Sequence, residues 1–306
     1  MSGLSPDVSL GDSCPSLSGS ALSLAQRDRQ TPIASHAMPP NDYLLGHSTE
    51  EFWRLARQAG LAERETEEVF RTAGISAGMQ VLEIGSGAGD VAMLIGRLVR
   101  PSGSVHGIEQ HADSAALAAE RVAAVGNVSV RFEIGNLESY APTGGYDALV
   151  GRFVLPYLSN PSATLRHLAS CLNPGAVIAF MELDATKISS VPESLLVRRV
   201  CDWITEAFKE SINPSLGSSL GAIFHSAGLP WPQMTSFQKV CCGPDGFYWW
   251  LAELVRAVLP NIVRLGLATA EEVDIDTLET RLQEEAVAKQ LTLFGPRWVG
   301  AWTRLP

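Results

Sequence analysis

Between Met79 and about residue 184, short apolar runs alternate with segments whose apolar residues recur every three or four positions. The runs "QVLEIG", "SVHGIE", "VSVRFE", "DALVGRF" and "AVIAFMEL" read as strands, and "VAMLIGRLVR", "ADSAALAAERVAAV" and "ATLRHLASCL" read as the helices between them. Strand and helix in alternation predict βαβ units and a parallel sheet covered on both faces, hence an α/β fold. Upstream, "HSTEEFWRLARQAGL" opens with Ser48 as an N-cap and Glu51 three residues on, a capping-box pattern that starts a helix. A second helix is predicted from about Glu63 to Ala73, where Gly74 ends it.

After the fifth strand the alternation is interrupted by "ESLLVRRVCDWITEAFKES" and resumes with "LGSSLGAIFHSAGL" as a helix and "QMTSFQKVCC" as a strand. A second helical interruption runs from Gly243 to about Lys289, and "QLTLFGPRWVGAWTRLP" closes as a strand pair or one bent strand. Residues 1–40 are rich in Ser, Pro and Gly without sustained periodicity, a composition that predicts a disordered tail. The expected organisation is therefore a tail, 1–40, and a single domain, 41–306. Within that domain lie N-terminal helices at 41–77, a core at 78–184 and helical insertions at 185–211 and 243–289.

The chain has 306 residues, 46% of them hydrophobic, so it can bury a substantial core. Its net charge of −10 disfavours nucleic acid or an anionic membrane as partner and leaves a small molecule as the simpler expectation. Cys14, Cys171, Cys201, Cys241 and Cys242 are odd in number and lack CxxC spacing, which predicts neither a zinc site nor a disulfide framework. No apolar run approaches the ~18 residues of a membrane span, and no apolar segment follows an early basic residue. A cytoplasmic location is expected.

"VLEIGSGAGD" puts Gly85, Gly87 and Gly89 directly behind the first strand, with Glu83 two positions ahead. Glycine so placed marks a tight turn or a backbone approached closely by something else. In an open parallel sheet ligands bind beyond the carboxyl ends of the strands, where this loop lies. Its GxGxG spacing is neither the dinucleotide GxGxxG nor a P-loop, which argues against a bound pyrophosphate. Glu109 ends the next strand, placed to accept both hydroxyls of a ribose, and Asn136 ends the one after, where its amide could pair with an adenine edge. Adenosine without pyrophosphate fits that set.

On these residues the run from Gly78 to Asp184 resembles the core of the class I S-adenosylmethionine-dependent methyltransferases. The resemblance implies a Rossmann-like, seven-stranded sheet, with the N-terminal helices and the two insertions forming a substrate lid. It implies S-adenosylmethionine as cofactor and S-adenosylhomocysteine as product. By the same resemblance Gly85, Ser86, Gly87 and Gly89 let backbone approach the methionine end, Glu83 lies beside its ammonium, and Glu109 with Gln110 holds the ribose. Asn136 stands where Asp is frequent, with the Leu137 N–H nearby, and Arg152 and Phe153 end the fourth strand. "YLLGHSTEEFWRLARQA", "GRFVLPYL" and "GAWTRLP" resemble bacterial small-molecule methyltransferases, some of which methylate C3 of indoles in alkaloid and cyclodipeptide pathways. That similarity implies that Tyr43 and His47 fold over the methionine end.

Methyl transfer from a sulfonium is an in-line displacement, so holding nucleophile and methyl in line supplies much of the rate. Arg152 and Glu182 end adjacent strands in the family's order, and either form an ion pair or leave Glu182 free to take a proton from the acceptor. Glu182, Arg152 and His47 are the catalytic candidates; no metal is expected. Aromatic residues sit where a pocket roof would be, and Trp53, Trp203, Phe208, Trp249, Trp250 and Trp298 are the candidate substrate residues, suited to stacking on a flat ring. The expected reaction is methylation of a small aromatic acceptor, at C3 of an indole or tryptophan-derived substrate as the best guess. The alternatives are O- or N-methylation of another small metabolite, or a binding module without catalysis.

Overall fold

A computed structural model describes residues 49–126 and 129–306. The predicted tail, Tyr43 and His47 lie outside the described residues. The chain runs through α1 (Thr49–Ala73), β1 (Gln80–Ile84), α2 (Asp90–Leu98), β2 (Ser104–Glu109), α3 (Ala112–Ala124), β3 (Val130–Ile134), β4 (Tyr146–Arg152), α4 (Pro161–Ala169) and β5 (Leu172–Asp184). It continues as β6 (Ser189–Val191), α5 (Leu195–Lys209), α6 (Leu216–Ser226), β7 (Gln233–Cys242), α7 (Tyr248–Arg264), α8 (Ala270–Val273), α9 (Leu278–Ala288) and β8 (Thr292–Arg304).

The described strands form one eight-stranded sheet ordered β3-β2-β1-β4-β5-β8-β6, with β7 also paired to β8. Strands β3, β2, β1, β4 and β5 are parallel, as the alternating pattern predicts, and β8 enters antiparallel. The expectation of seven strands is corrected by β6, three residues within the first insertion that pair with Leu293 and its neighbours beyond the end of β5. The closing segment is one long strand rather than a pair. Its Arg297–Arg304 portion lies on β5, its start lies on β6, and β7 pairs along its other edge. The two expected N-terminal helices are a single α1, because a Cβ at Gly60 would meet open space and good helix formers flank it.

Alternation along the strands sorts the core into two layers. Val81, Val150, Ala179 and Met181 pack with α1, α2, α5 and α7, whereas Leu82, Ile84, Leu149, Ile178 and Phe180 pack with α6 and the Leu165 side of α4. Each such buried Val, Leu, Ile, Met or Phe side chain contributes about 1.5–3 kcal/mol relative to exposure, so a strand cannot slip by one residue without exchanging the two sets. That constraint decides which face each polar residue at a strand end presents. Glu83 and Arg152 continue the α1 layer, while Glu182 continues the Phe180 layer.

Candidate active site

The first strand passes into the glycine loop with Gly85 at φ +67° and Gly87 at φ +50°, a region that side chains disfavour. At Gly85 a Cβ would also lie 2.3 Å from Val154 Cγ2, so the loop and the turn after β4 touch through the missing side chain. At Gly87 it would meet nothing within 4 Å: the backbone there faces open space. The loop is tied down by hydrogen bonds from the Gly85 and Ser86 N–H groups to Ile108 O. The Gly87 N–H donates to Glu109 Oε2 at 2.8 Å, and Glu109 Oε1 accepts from His111 N at 3.0 Å. Both oxygens of Glu109 thus hold backbone, and each keeps a lone pair.

Two ionisable groups, Glu83 and Arg152, lie at the ends of β1 and β4 on the α1 face of the sheet behind this loop. Glu83 is buried, and neither its Oε2 nor the neighbouring Ser86 Oγ has a hydrogen-bond partner. Burial pushes the Glu83 carboxyl up to about 8, and the Ser86 hydroxyl and the field of Arg152 only partly oppose that rise. Arg152 donates to Thr66 Oγ1 of α1 at 3.0 Å and lies over the Phe153 ring, 5.6 Å from its centroid. Burial lowers its guanidinium from the ordinary value, against the opposing fields of Asp90, Glu83 and Glu63. No carboxylate pairs with it among the described residues.

The ion pair expected between Arg152 and Glu182 is corrected by the register. Arg152 lies opposite Met181, so Glu182, one residue on, faces the other side of the sheet. There it is fully buried, and its Oε1 accepts from the N–H groups of Val154 and Leu155, each at 3.1 Å. Its Oε2 has no partner, and burial pushes this carboxyl also up to about 8. Between the two strand ends Phe153 adopts φ +56°, a conformation few non-glycine residues take without being held there.

The remaining candidates separate in space. Leu137 is buried and Gln110 is exposed, its amide beside His111 Nε2. Asn136 Oδ1, expected to face adenine, already accepts the Glu138 N–H at 2.9 Å, which leaves the amide NH2 and one lone pair. Phe208, Trp250 and Trp298 are buried in the α1-side core as packing residues, with the Trp250 and Trp298 rings 5.8 Å apart, while Trp203, also largely buried, lines a cavity of about 360 Å³ with Arg199, Asp202 and Glu206. The amphipathic α5 and α7 turn their apolar faces onto the sheet, and this buries the rings. Trp249 is only half-buried. Trp53 lies on α1, but its side chain is outside the described residues.

Sequence reasoning missed several supports of this site. Arg121 on α3 reaches Ala88 O and pairs with Asp90 at 2.7 Å, pinning the end of the loop. Thr66 orients Arg152 from a helix distant in sequence. A Cβ at Gly107 would lie 2.4 Å from Ser86 Oγ, so the glycine inside "SVHGIE" makes room for the loop; a glycine in a strand interior was its available signal.

Residues 82–178 match a family model described as a methyltransferase domain. An arsenite methyltransferase from Aquipseudomonas alcaligenes is 31% identical over 121 residues, 36% of this chain and 34% of that protein, so the chain spans about a third of the curated relative's length. Among solved structures, a putative methyltransferase from Bacillus halodurans superposes with a TM-score of 0.55 at 15% identity, covering 79% of this chain and 99% of that one. The YcgJ protein from Bacillus subtilis gives 0.52 at 16%, covering 79% and 100%. Phosphoethanolamine N-methyltransferase 2 from Haemonchus contortus, solved with S-adenosylhomocysteine, gives 0.51 at 14%, covering 79% and 52%. These likenesses establish the Rossmann-like methyltransferase fold.

Proposed function

From a class I S-adenosylmethionine-dependent methyltransferase domain as premise, we propose that this chain transfers a methyl group to a small aromatic acceptor, with C3 of an indole as the best reading. The observation that carries the cofactor assignment is the buried, partnerless Glu83 Oε2 on the same sheet face as Arg152, which pairs with no carboxylate among the described residues. A buried carboxyl able to ionise and a guanidinium on one face of the sheet fit a zwitterion: Glu83, giving up its proton, accepts from the ammonium, and Arg152 donates to the carboxylate of the methionine end. The open space beside Gly87 admits the ligand against backbone, and the free lone pairs of Glu109 accept the ribose hydroxyls.

When bound, S-adenosylmethionine supplies an electrophilic methyl on a sulfonium. The chain's own contribution is orientation. Glu83 and Arg152 fix the amino-acid end, Glu109 fixes the ribose, and the loop between them sets the line along which the acceptor must approach. An indole C3 is already nucleophilic, so such a site needs a held geometry and a face for developing positive charge more than a strong base. Half-buried Trp249 on α7 and Trp203 of α5, on the wall of a cavity of about 360 Å³, support a flat acceptor.

The test is a screen of purified protein with S-adenosylmethionine against indoles, phenols, amines and arsenite, followed by mass detection of the methylated product. Methyl gain by an indole is the expected result. Gain only by a phenol or amine sinks the indole reading, and gain only by arsenite would assign the curated relative's activity.

A further inference from the structure

We propose that Glu182 is a positioning residue: from beneath the sheet it caps the turn after β4 and thereby sets that turn against the glycine loop. The inference rests on the cofactor reading above, since it says how the loop is held in shape. Three contacts form the chain of action. Glu182 Oε1 accepts the N–H groups of Val154 and Leu155, the first free donors of the 3-10 turn Leu155–Tyr157. Val154 then fills the place where a Gly85 side chain would be, its Cγ2 2.3 Å from the ideal Cβ position. The same cap holds Phe153 at φ +56°, which keeps Arg152, immediately before it, directed at Thr66 and the α1 side.

The protonation state agrees with a cap rather than a base. Burial raises this carboxyl to about 8, so near neutrality it is uncharged, with a carbonyl oxygen for the two N–H groups. Glutamine reproduces that acceptor with almost the same shape. Alanine leaves two buried N–H groups with nothing to accept them.

The experiment compares Glu182→Gln, Glu182→Ala and Val154→Ala in the full chain with 15N-labelled glycine. It reads the Gly85 and Gly87 amide resonances without ligand and the affinity for S-adenosylhomocysteine by calorimetry. Glu182→Ala is expected to move both glycine resonances and weaken binding roughly tenfold or more, while Glu182→Gln restores both to near wild type. Val154→Ala, which keeps the carboxylate and its two hydrogen bonds, is expected to move the Gly85 resonance as well. Should Glu182→Ala not fold, the Gln and Val154 variants still decide the matter. Unmoved glycine resonances in Glu182→Ala or Val154→Ala would overturn the proposal. So would a Gln variant that disturbs the glycines as much as Ala, because the charge and not the cap would then be what matters. If wild type itself fails to bind S-adenosylhomocysteine, the cofactor reading fails, and the glycine resonances alone judge the positioning role.

Discussion

Cofactor binding should release a proton near neutral pH. In the free protein the Glu83 carboxyl is buried with its Oε2 unpartnered and titrates at about 8, so at pH 7 about nine in ten molecules carry its proton. An ammonium placed against Oε2 favours the carboxylate and returns the group toward the ordinary range near 4.3. That proton leaves as the cofactor enters. The ligand's own amine, with a pKa of about 8, takes up about a tenth of a proton at pH 7, leaving a net release of about 0.8 per site. Affinity should therefore tighten about tenfold from pH 6 to pH 7, flatten near pH 8, and weaken above it as the amine loses its charge. Calorimetry with S-adenosylhomocysteine in two buffers of different ionisation enthalpy counts the proton directly. Glu83→Gln should bind more weakly, release no proton, and lose the slope below pH 7. Zero release by wild type at pH 7, or an unchanged slope in the Gln variant, would refute placing the ammonium on Glu83.

Replacing Glu109 by Ala should weaken S-adenosylmethionine binding by ~10–100-fold, since it removes the ribose acceptor together with the anchors of the Gly87 and His111 N–H groups; an unchanged calorimetric affinity would contradict this. Gly85→Ala should cost roughly 1–3 kcal/mol, because a side chain there meets both a positive φ and Val154, and the shift is read from the denaturant midpoint. Stability without ligand should fall as pH rises from about 4.5 to about 8: the native state holds protons on Glu83 and Glu182 that the unfolded chain has lost, so their contribution is full below 4.5 and gone above 8. Thermal midpoints across that range should show the decline, and Glu83→Gln with Glu182→Gln should flatten it.

The parallel half of the sheet was legible because β1, β2, β4 and β5 are mostly apolar runs with periodic helices α2, α3 and α4 among them, and β3 shows the alternation of an edge strand. The glycine loop was legible because "GSGAG" has no use inside a regular element. What escaped was whatever depends on pairing partners. The β6 residues Ser189–Val191 carry no alternation of their own, and they are a strand only because β8 runs past the end of β5 and offers them an edge. The side toward which Glu182 points follows from Arg152 lying opposite Met181, a register invisible in either segment alone. Thr66 and Val154 look like any helix and loop residue until α1 is laid across β5 and the turn laid on Gly85. The aromatic cluster was over-read for a related reason. "FYWW" cannot bury every ring on one helical face, but the sheet and α5 take more of them than a helix in isolation would.

The position of β8 bears on how the protein is made. One edge of β5 and the strands β6 and β7 find their hydrogen-bonding partner in residues 292–304, which a ribosome produces more than a hundred residues after β5 has left it. The half containing β3, β2, β1 and β4 can assemble early from neighbouring units, whereas β5 must wait with one edge bare. Pairings of such long sequence separation are slow to close, and a waiting strand edge is a template for the wrong partner. During that interval Ala176–Met181, an unbroken apolar run, is the segment a chaperone would have most reason to cover. The residues proposed to hold the cofactor, Glu83, Glu109 and Arg152, lie on the early half, so they can be in place while the far side of the nascent sheet is still open.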